Sequence, residues 1–444
     1  MPFPKVNTLP PGGVEALPDF YARLLEDARE RTLGLVVPVS EPVADHQHSR
    51  LTSPLAWDLG HIAAFEDLWL CHRAGGLEPL SRDLWDVYDA TETPRSGRGQ
   101  LDFLPYREAR QLMDDVRART LEVLGDADLS PDSDRLNALG FVWEMVIRHE
   151  HQHNETMLQG LQLADAGTYE PARTPVPAGA ASGRPSGAVR VGAGPFLLGA
   201  PPEGFAYDNE RPQHEVDLRA FEIDIAPVTN GDLLAWIEDG GYRRREWWSP
   251  DGWAWREAEG IERPLYWTAD GRTRSFERVA ALRPEHPVVH VSWFEADAYA
   301  RAHDKRLPTE VEWEKAATWD VASQTKRLHP WGDAEPAFEL ANLDQETFAT
   351  APVGAYPSGA SPYGVLGMLG DVWEWTASSF EPYPGFQAFP YREYSEVFFG
   401  QQGYRALRGG SWATRALTAR ATFRNWDLPQ RRQIFAGFRC ARDA

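Results

Sequence analysis

The chain has 444 residues, more than one hydrophobic core usually holds, so we expect two domains. Its net charge is −21 and it has no basic run, which argues against nucleic acid and anionic membranes as partners, since both are bound through clustered Lys and Arg. Two distant cysteines, Cys71 and Cys440, exclude a disulfide framework, and without an apolar leader or a long apolar run we expect a cytoplasmic protein.

Apolar residues recur at helical spacing in four stretches of the first 170 residues. A first helix is predicted over residues 14–31, and a second opens with Ser53 as N-cap and Pro54 at the first helical position. Two further amphipathic stretches cover residues 103–124 and 141–158. The pattern predicts an antiparallel four-helix bundle.

The last of these stretches, FVWEMVIRHEHQHNETML, contains three histidines within five residues. His149 and His153 stand at i and i+4, so on a helix both imidazoles lie on one face and can reach one metal ion. His151 points to another face and is a poor third ligand. Two alternatives stay open at this point. The histidines could be partners of buried carboxylates, or the string His149-Glu150-x-x-His153 could be the HExxH motif of a zinc peptidase, although no third metzincin ligand follows.

A two-histidine site needs a third ligand from another helix of the bundle. We rank His61 first, because it lies within the apolar second helix, LAWDLGHIAAFEDLWLCHR. A core histidine without a metal is the alternative for this residue. Asp58, Glu66, His46 and His48 rank behind it.

The segment TETPRSGRGQ around Arg95 is predicted to be a loop near one end of the bundle, where its arginines either bind a carboxylate or are merely solvated. Residues 171–187 are rich in Pro, Ala, Gly and Ser and predict an interdomain linker. Beyond it, short β-like runs alternate with turns, and RLPTEVEWEKAA predicts a helix opened by Pro308-Thr309-Glu310. The fold class is therefore α+β with two domains: helical residues 1–170 and mixed residues 188–444.

Several strings of the second half resemble the formylglycine-generating-enzyme and sulfatase-modifying family, which has a C-type-lectin-like fold. They are PVVHVSW (287–293), RLPTEVEWE (306–314), GDVWEW (370–375), RGGSW (408–412) and GFRC (437–440). The paired copper-binding cysteines of the formylglycine enzyme are absent, since Cys440 is the only cysteine of this half. The resemblance implies the fold but not that chemistry.

The first half, with WDLGHIAAFEDLWL and HEHQHNETML, is similar to a DinB-like four-helix bundle. A bundle of this kind ahead of a lectin-like domain resembles the iron-dependent sulfoxide synthases of ergothioneine biosynthesis over essentially the whole chain. The resemblance implies that His61, His149 and His153 hold Fe(II), the cofactor. Three imidazoles on one side of an octahedral ion leave three positions for O2 and two substrate groups.

The resemblance also implies residue roles. Tyr391 matches the catalytic tyrosine, which would supply a proton. The residues that match hercynine contacts are Gln152, Tyr394, Asn425 and Trp426. An aromatic face such as that of Trp426 suits a trimethylammonium group, which has no N–H to donate.

Arg95, Asp427 and Arg431 match the residues that grip the γ-glutamyl part of γ-glutamylcysteine. Arginines would fork onto its carboxylates, and the aspartate would pair with its α-ammonium group. Arg432 is adjacent, so a shift of one residue in the alignment would exchange the two arginines.

The function implied is O2-dependent joining of hercynine to γ-glutamylcysteine, with oxidation of the sulfur to γ-glutamyl-hercynylcysteine S-oxide. The nearest alternative keeps the fold but uses free cysteine or a selenium donor. Remote alternatives are a zinc peptidase and a non-catalytic lectin-like binding protein. The expected partners are these small molecules and O2, without nucleic acid or membrane, and a monomer is expected.

Overall fold

Two compact units make up the computed structural model of the chain. The helical unit consists of residues 2–174 and 276–278, and the mixed unit of residues 175–275 and 279–444. The structure describes residues 16–172, 176, 178–179, 183, 185–400 and 403–444. Residues 14–15 of the predicted first helix and much of the predicted linker therefore lie outside the described residues.

The helical unit contains the predicted four-helix bundle. Its helices are α1 (Leu17–Val36), α2 (Glu41–Ala44), α3 (Leu55–Glu66), α4 (Trp85–Tyr88), α5 (Tyr106–Asp126) and α6 (Phe141–Leu163). Helix α3 continues into a π-helical segment, Asp67–Ala74. It packs against α5 and α6, while α1 packs against α6. Nearly every residue of α3 is buried, so this helix lies at the centre of the bundle.

The two predicted helix starts have different outcomes. The helix predicted to open with Pro308-Thr309-Glu310 is confirmed as α10, and the side chain of Thr309 caps it by accepting a hydrogen bond from Glu312 N. The predicted Ser53 cap is wrong. Helix α3 begins at Leu55 without a side-chain cap, and Ser53 Oγ instead accepts a hydrogen bond of 2.8 Å from the guanidinium of Arg98.

A buried ionic network ties the four long helices together. Arg29 of α1 donates to Glu66 Oε2 at 2.7 Å and to Glu150 Oε1 at 3.0 Å. Arg117 of α5 donates to Glu66 Oε1 at 2.7 Å and lies 3.3 Å from Glu150 Oε2. Burial alone would raise the pKa of Glu66, but the guanidinium groups of Arg117 and Arg29 hold it below its usual value. Removing one partner of a buried ion pair costs about 3–5 kcal/mol, so the network fixes α3 and α6 relative to each other.

Short strands, four helices and many loops form the rest of the chain. The helices are α7 (Asn230–Glu238), α8 (Pro250–Ala258), α9 (Trp293–Ala302) and α10 (Glu310–Thr318). The strands are β1 (Ala188–Val191), β2 (Gly194–Leu198), β3 (His214–Leu218), β4 (Phe221–Asp224), β5 (Arg272–Ser275), β6 (Arg278–Ala281), β7 (Trp319–Asp320), β8 (Thr325–Lys326), β9 (Trp373–Ser379), β10 (Arg405–Arg408), β11 (Asn425–Asp427), β12 (Ala436–Gly437) and β13 (Ala441–Asp443).

The largest sheet of the described residues has the strand order β11-β10-β9-β12, with only the β9–β12 pair parallel. A three-stranded antiparallel sheet has the order β1-β4-β13, and the remaining strands form hairpins. Strand β11 lies at an edge of the four-stranded sheet, where Trp426 is opposite Ala406. Residues 425–427 therefore lie at an edge of this sheet.

Buried ion pairs join the sequence strings of the mixed unit to one another. Glu314 of RLPTEVEWE pairs with Arg408 of RGGSW. Glu374 of GDVWEW accepts hydrogen bonds of 2.6 Å from Arg439 of GFRC and one of 2.9 Å from the indole of Trp313. Buried charges need such partners, so these strings are the polar framework of the core. No helix within the described residues is long and apolar enough to cross a bilayer.

Candidate functional site

Three histidines of the helical unit converge on one point. His61 comes from α3, and His149 and His153 come from α6; one ring nitrogen of each lies within 4.8 Å of the others. The Nε2 atoms of His61 and His149 are 3.1 Å apart. Two nitrogens that each lie about 2.1 Å from one ion are about 3 Å apart when the angle at the ion is near 90°. The spacing therefore fits a single metal ion.

Hydrogen bonds on the far side of two of these rings set their tautomers. His61 Nδ1 lies 2.7 Å from the carbonyl oxygen of Tyr88, which can only accept, so Nδ1 carries the proton. His153 Nδ1 lies 3.2 Å from Asp58 Oδ1 and donates to the carboxylate in the same way. In a neutral ring, a proton on Nδ1 leaves Nε2 able to bind a metal.

Aromatic rings hold two of the imidazoles in place. Trp57 stacks on His61 with 5.0 Å between ring centroids, and Phe65 stacks on His149 at 3.7 Å. Burial, and secondly the electrostatic interaction with His153, lower the pKa of His61 and His149 well below 6.5, so both are neutral, the form that binds metals. Trp57 and Phe65 were not among the predicted site residues, although their positions four residues either side of His61 were a usable signal.

The residues ranked behind His61 do not join the cluster. Asp58 orients His153, and Glu66 belongs to the ionic network. The rings of His46 and His48 contact each other, and His48 Nε2 lies 3.0 Å from the carbonyl oxygen of Val43. His151 faces Asp27, with 3.9 Å between Nε2 and Oδ2.

The zinc peptidase alternative is wrong, because Glu150 does not face the histidines' metal-binding side. A peptidase on HExxH requires this glutamate beside the open side of the metal as general base. Here its carboxylate is buried, accepts a hydrogen bond of 2.7 Å from Thr32 and pairs with Arg29 and Arg117. Its role is to stabilise the packing of the bundle.

The hydrogen bond between Asp58 and His153 gives a testable prediction. Asp58→Ala removes the acceptor that orients the ring, so we expect about 10- to 100-fold weaker metal binding. The measurement is titration of the metal-free protein with Co(II) against a competing chelator. Asp27→Ala is the control, because Asp27 faces His151 instead, and it should bind Co(II) like the parent. Equal affinity of both variants would show that Asp58 does not support the site.

The other predicted residues form a second group, in the mixed unit. Tyr391 and Tyr394 lie on one loop, and the ring of Tyr394 contacts Tyr391 at 6.1 Å and the indole of Trp426 at 5.9 Å. Phe380 stacks on Trp426 at 4.2 Å with an interplanar angle of 9°. Phe398 also contacts this indole, with 5.3 Å between ring centroids, so Trp426 belongs to an aromatic cluster.

The neighbouring arginines 431 and 432 have different surroundings. Arg431 Nε lies 3.5 Å from Asp427 Oδ1, and both side chains are partly exposed. Arg432 lies 3.1 Å from the fully buried Glu295 and also donates to the carbonyl oxygen of Arg263. Arg432 is thus committed to an internal ion pair, whereas Arg431 and Asp427 present a paired cation and anion near the surface.

Two predicted substrate contacts lie in the helical unit. Gln152 precedes His153 on α6 and is half-buried. Arg95 begins a 3₁₀ turn, Arg95–Gln100, is exposed, and is near enough for its charge to help lower the pKa of His61. The charge of Arg95 thus acts on the histidine cluster, Gln152 adjoins one of its members in sequence, and in the mixed unit Tyr394 contacts both Tyr391 and Trp426.

Two family models match this chain. The DinB superfamily covers residues 24–157, and the sulfatase-modifying factor enzyme 1-like domain covers residues 174–444. A protein of Mycolicibacterium thermoresistibile named hercynine oxygenase is 48% identical over 95% of this chain and 94% of its own. A hercynine oxygenase of Mycobacterium tuberculosis is 47% identical over 96% of this chain and 99% of its own. A formylglycine-generating enzyme of Streptomyces coelicolor is 33% identical over 61% of this chain and 96% of its own. These matches confirm both predicted fold types.

Proposed function

Since the chain belongs to the hercynine oxygenase family and is an oxygenase with a metal cofactor, we propose that it joins hercynine to γ-glutamylcysteine and oxidises the linking sulfur to a sulfoxide. The observation that carries the proposal is the cluster of His61, His149 and His153 in the bundle. Three imidazole ligands leave much of a metal's coordination sphere open for substrates.

The atoms of this reaction balance without a further reductant. One C–H bond of the hercynine imidazole and the S–H bond of the thiol are broken, and one C–S bond forms. Of the two oxygen atoms of O2, one ends on sulfur and the other leaves as water with the two hydrogens. The proposal therefore requires one O2 for each product molecule.

The donor set fits Fe(II), the metal we propose. Imidazole nitrogen suits several divalent metals, but zinc has no redox chemistry and cannot serve an oxygenase. When bound, Fe(II) would supply the activation of O2 that no side chain provides. The chain's own contribution is to aim three ring nitrogens at one point, through Tyr88 O, Asp58 and the stacked rings of Trp57 and Phe65.

Tyr391 is the residue we propose as proton donor during the reduction of oxygen. Its phenol O–H is a donor, and it lies in a loop with only partial burial. The ring contact with Tyr394 supports its side chain on one side.

We propose that the indole of Trp426 receives the trimethylammonium group of hercynine, with polar contacts from Asn425 and Gln152. The cation–π attraction of an indole suits this group because it has no N–H. For the thiol substrate, Arg95 and Arg431 would bind carboxylates and Asp427 the α-ammonium group. The internal pairing of Arg432 with Glu295 supports Arg431 in this role.

The choice of thiol is tested by competition between γ-glutamylcysteine and free cysteine at equal concentration. We expect the γ-glutamyl product to dominate.

Arg431→Ala should raise the KM for γ-glutamylcysteine about 10- to 100-fold, because a charge-assisted hydrogen bond is lost, and should change turnover of cysteine little. Arg442→Ala, which removes an exposed arginine paired with Glu222, is the control. Preference for cysteine in the parent would contradict the assignment. The cytoplasmic location and monomeric state remain predictions.

A further inference from the structure

The loop that carries Tyr391 is closed by one carboxylate. We call residues 389–395 the tyrosine loop. Its first and last residues both donate hydrogen bonds to Asp208. Asp208 Oδ2 accepts a hydrogen bond of 3.2 Å from Phe389 N, and its Oδ1 accepts one of 2.5 Å from Ser395 Oγ. Tyr391 lies between these two attachment points, so Asp208 fixes the distance between the ends of its loop.

The residues on either side of Asp208 hold the same loop. Asn209 Nδ2 donates to Ser395 Oγ at 2.9 Å. The ring of Tyr207 stacks on that of Tyr394, with centroids 4.4 Å apart and planes at 18°. Four contacts from three consecutive residues thus reach the tyrosine loop. None of these four contacts involves the Tyr391 side chain itself.

The support for these contacts is rigid. Glu210 accepts hydrogen bonds of 2.5 Å from Arg420 and 2.6 Å from Thr422. Arg424 donates to the carbonyl oxygen of Asn209 at 2.8 Å. Asp208, Asn209, Glu210 and Ser395 are all buried, whereas Arg392 in the middle of the loop is exposed. A partly exposed loop is therefore attached to a buried base that is held by ion pairs and hydrogen bonds.

The ionisation of Asp208 suits its role as a double acceptor. Burial raises the pKa of this carboxyl to about 6, and the hydrogen bond from Ser395 opposes the shift. At neutral pH the group is mainly ionised, so both oxygens accept. An amide at this position would offer one acceptor and turn a donor toward the other end of the loop.

We propose that Asp208 is a positioning residue for Tyr391, which it holds in place by binding both ends of the tyrosine loop. The proposal rests on the proposed role of Tyr391 as proton donor. If Asp208 had a purely structural role, loosening the loop would not selectively lower the rate of the proton-transfer step.

The first test measures the loop without any catalysis. Trypsin cleaves after the exposed Arg392, and a loop that opens more often is cut faster. In the metal-free full-length protein, we expect Asp208→Asn and Ser395→Ala to be cleaved at Arg392 about tenfold faster than the parent, as followed by mass spectrometry. Ser395→Ala removes only a hydroxyl and keeps the test valid if Asp208→Asn folds poorly.

Asp371→Asn is the matched control for this measurement. Asp371 is likewise a loop carboxylate that accepts two hydrogen bonds of 2.8 Å, from Asn342 Nδ2 and Ala351 N, but it does not touch the tyrosine loop. Cleavage at Arg392 should match the parent in this variant. Unchanged cleavage in both Asp208→Asn and Ser395→Ala would overturn the proposal.

The second test is a double-mutant cycle with Tyr391→Phe. We expect Asp208→Asn to lower kcat for sulfoxide formation about tenfold or more, with little change in the KM for hercynine, and to have no further effect once Tyr391 is replaced. A loss of kcat that persists undiminished in the Tyr391→Phe background would overturn the proposal. If Tyr391→Phe itself turned over at the parent rate, the proposed function of this tyrosine would fail, while the trypsin measurement would still decide whether Asp208 closes the loop.

Discussion

His61→Ala is expected to abolish sulfoxide formation and to reduce metal affinity by at least about 100-fold. Residues His149 and His153, one turn apart on α6, would remain, but two ligands from a single helix hold a divalent ion far less firmly than three from two helices. The measurement is metal content per chain after loading with Fe(II) or Co(II) and removal of free metal, together with turnover.

His46→Ala is the control for that variant. His46 was a lower-ranked candidate ligand, and its ring contacts His48 rather than the histidine cluster. Its metal content and turnover should equal those of the parent. Loss of metal in His46→Ala with retention in His61→Ala would show that the ligand set is wrong.

Tyr391→Phe is expected to lower the rate of sulfoxide formation about 10²- to 10⁴-fold, the usual contribution of a general acid. The variant loses one hydroxyl and keeps the ring contact with Tyr394, so folding and metal content should be those of the parent. The rate is measured from the product mass, and the metal content by elemental analysis.

Tyr299→Phe serves as the matched control. Its ring stacks on His303 and contacts Phe438, and phenylalanine preserves those contacts. We expect its rate to stay within a few-fold of the parent. A sulfoxide rate in Tyr391→Phe equal to that of the parent would remove the proposed proton donor, and a non-catalytic lectin-like protein would show no turnover in any variant.

Helix periodicity was enough to predict the bundle, because apolar spacing is a local property. The four long helices occur where the sequence placed them, with bounds that differ by a few residues. The i and i+4 spacing of His149 and His153 likewise predicted their shared face. The choice of His61 was a ranking only, and the packing of α3 on α6 is what brings its ring to the other two.

Contacts between distant positions could not be read from local pattern. The capping motif of Thr309 succeeded because its partner, Glu312, lies three residues away. Ser53 failed as a cap because its hydroxyl binds Arg98, which is 45 positions distant. Glu150 in the HExxH string looked catalytic until its partners on α1 and α5 were known.

The same limit applies to the second group of residues. Sequence alone left Arg431 and Arg432 interchangeable, and the ion pair of Arg432 with Glu295 distinguishes them. The attachment of the tyrosine loop to Asp208 joins residues 187 positions apart and had no signal in the sequence. The family resemblance supplied roles for single residues, whereas the structure supplies what holds those residues in place.

The most direct test of the proposed function is simultaneous measurement of oxygen uptake and product mass. The metal-free protein would be loaded with Fe(II) under anaerobic conditions and then given hercynine, γ-glutamylcysteine and O2, without an added reductant. We predict one O2 consumed for each molecule of joined sulfoxide, and no product when Zn(II) replaces Fe(II). Oxygen uptake without a joined product, or equal turnover with Zn(II), would contradict an iron-dependent sulfoxide synthase.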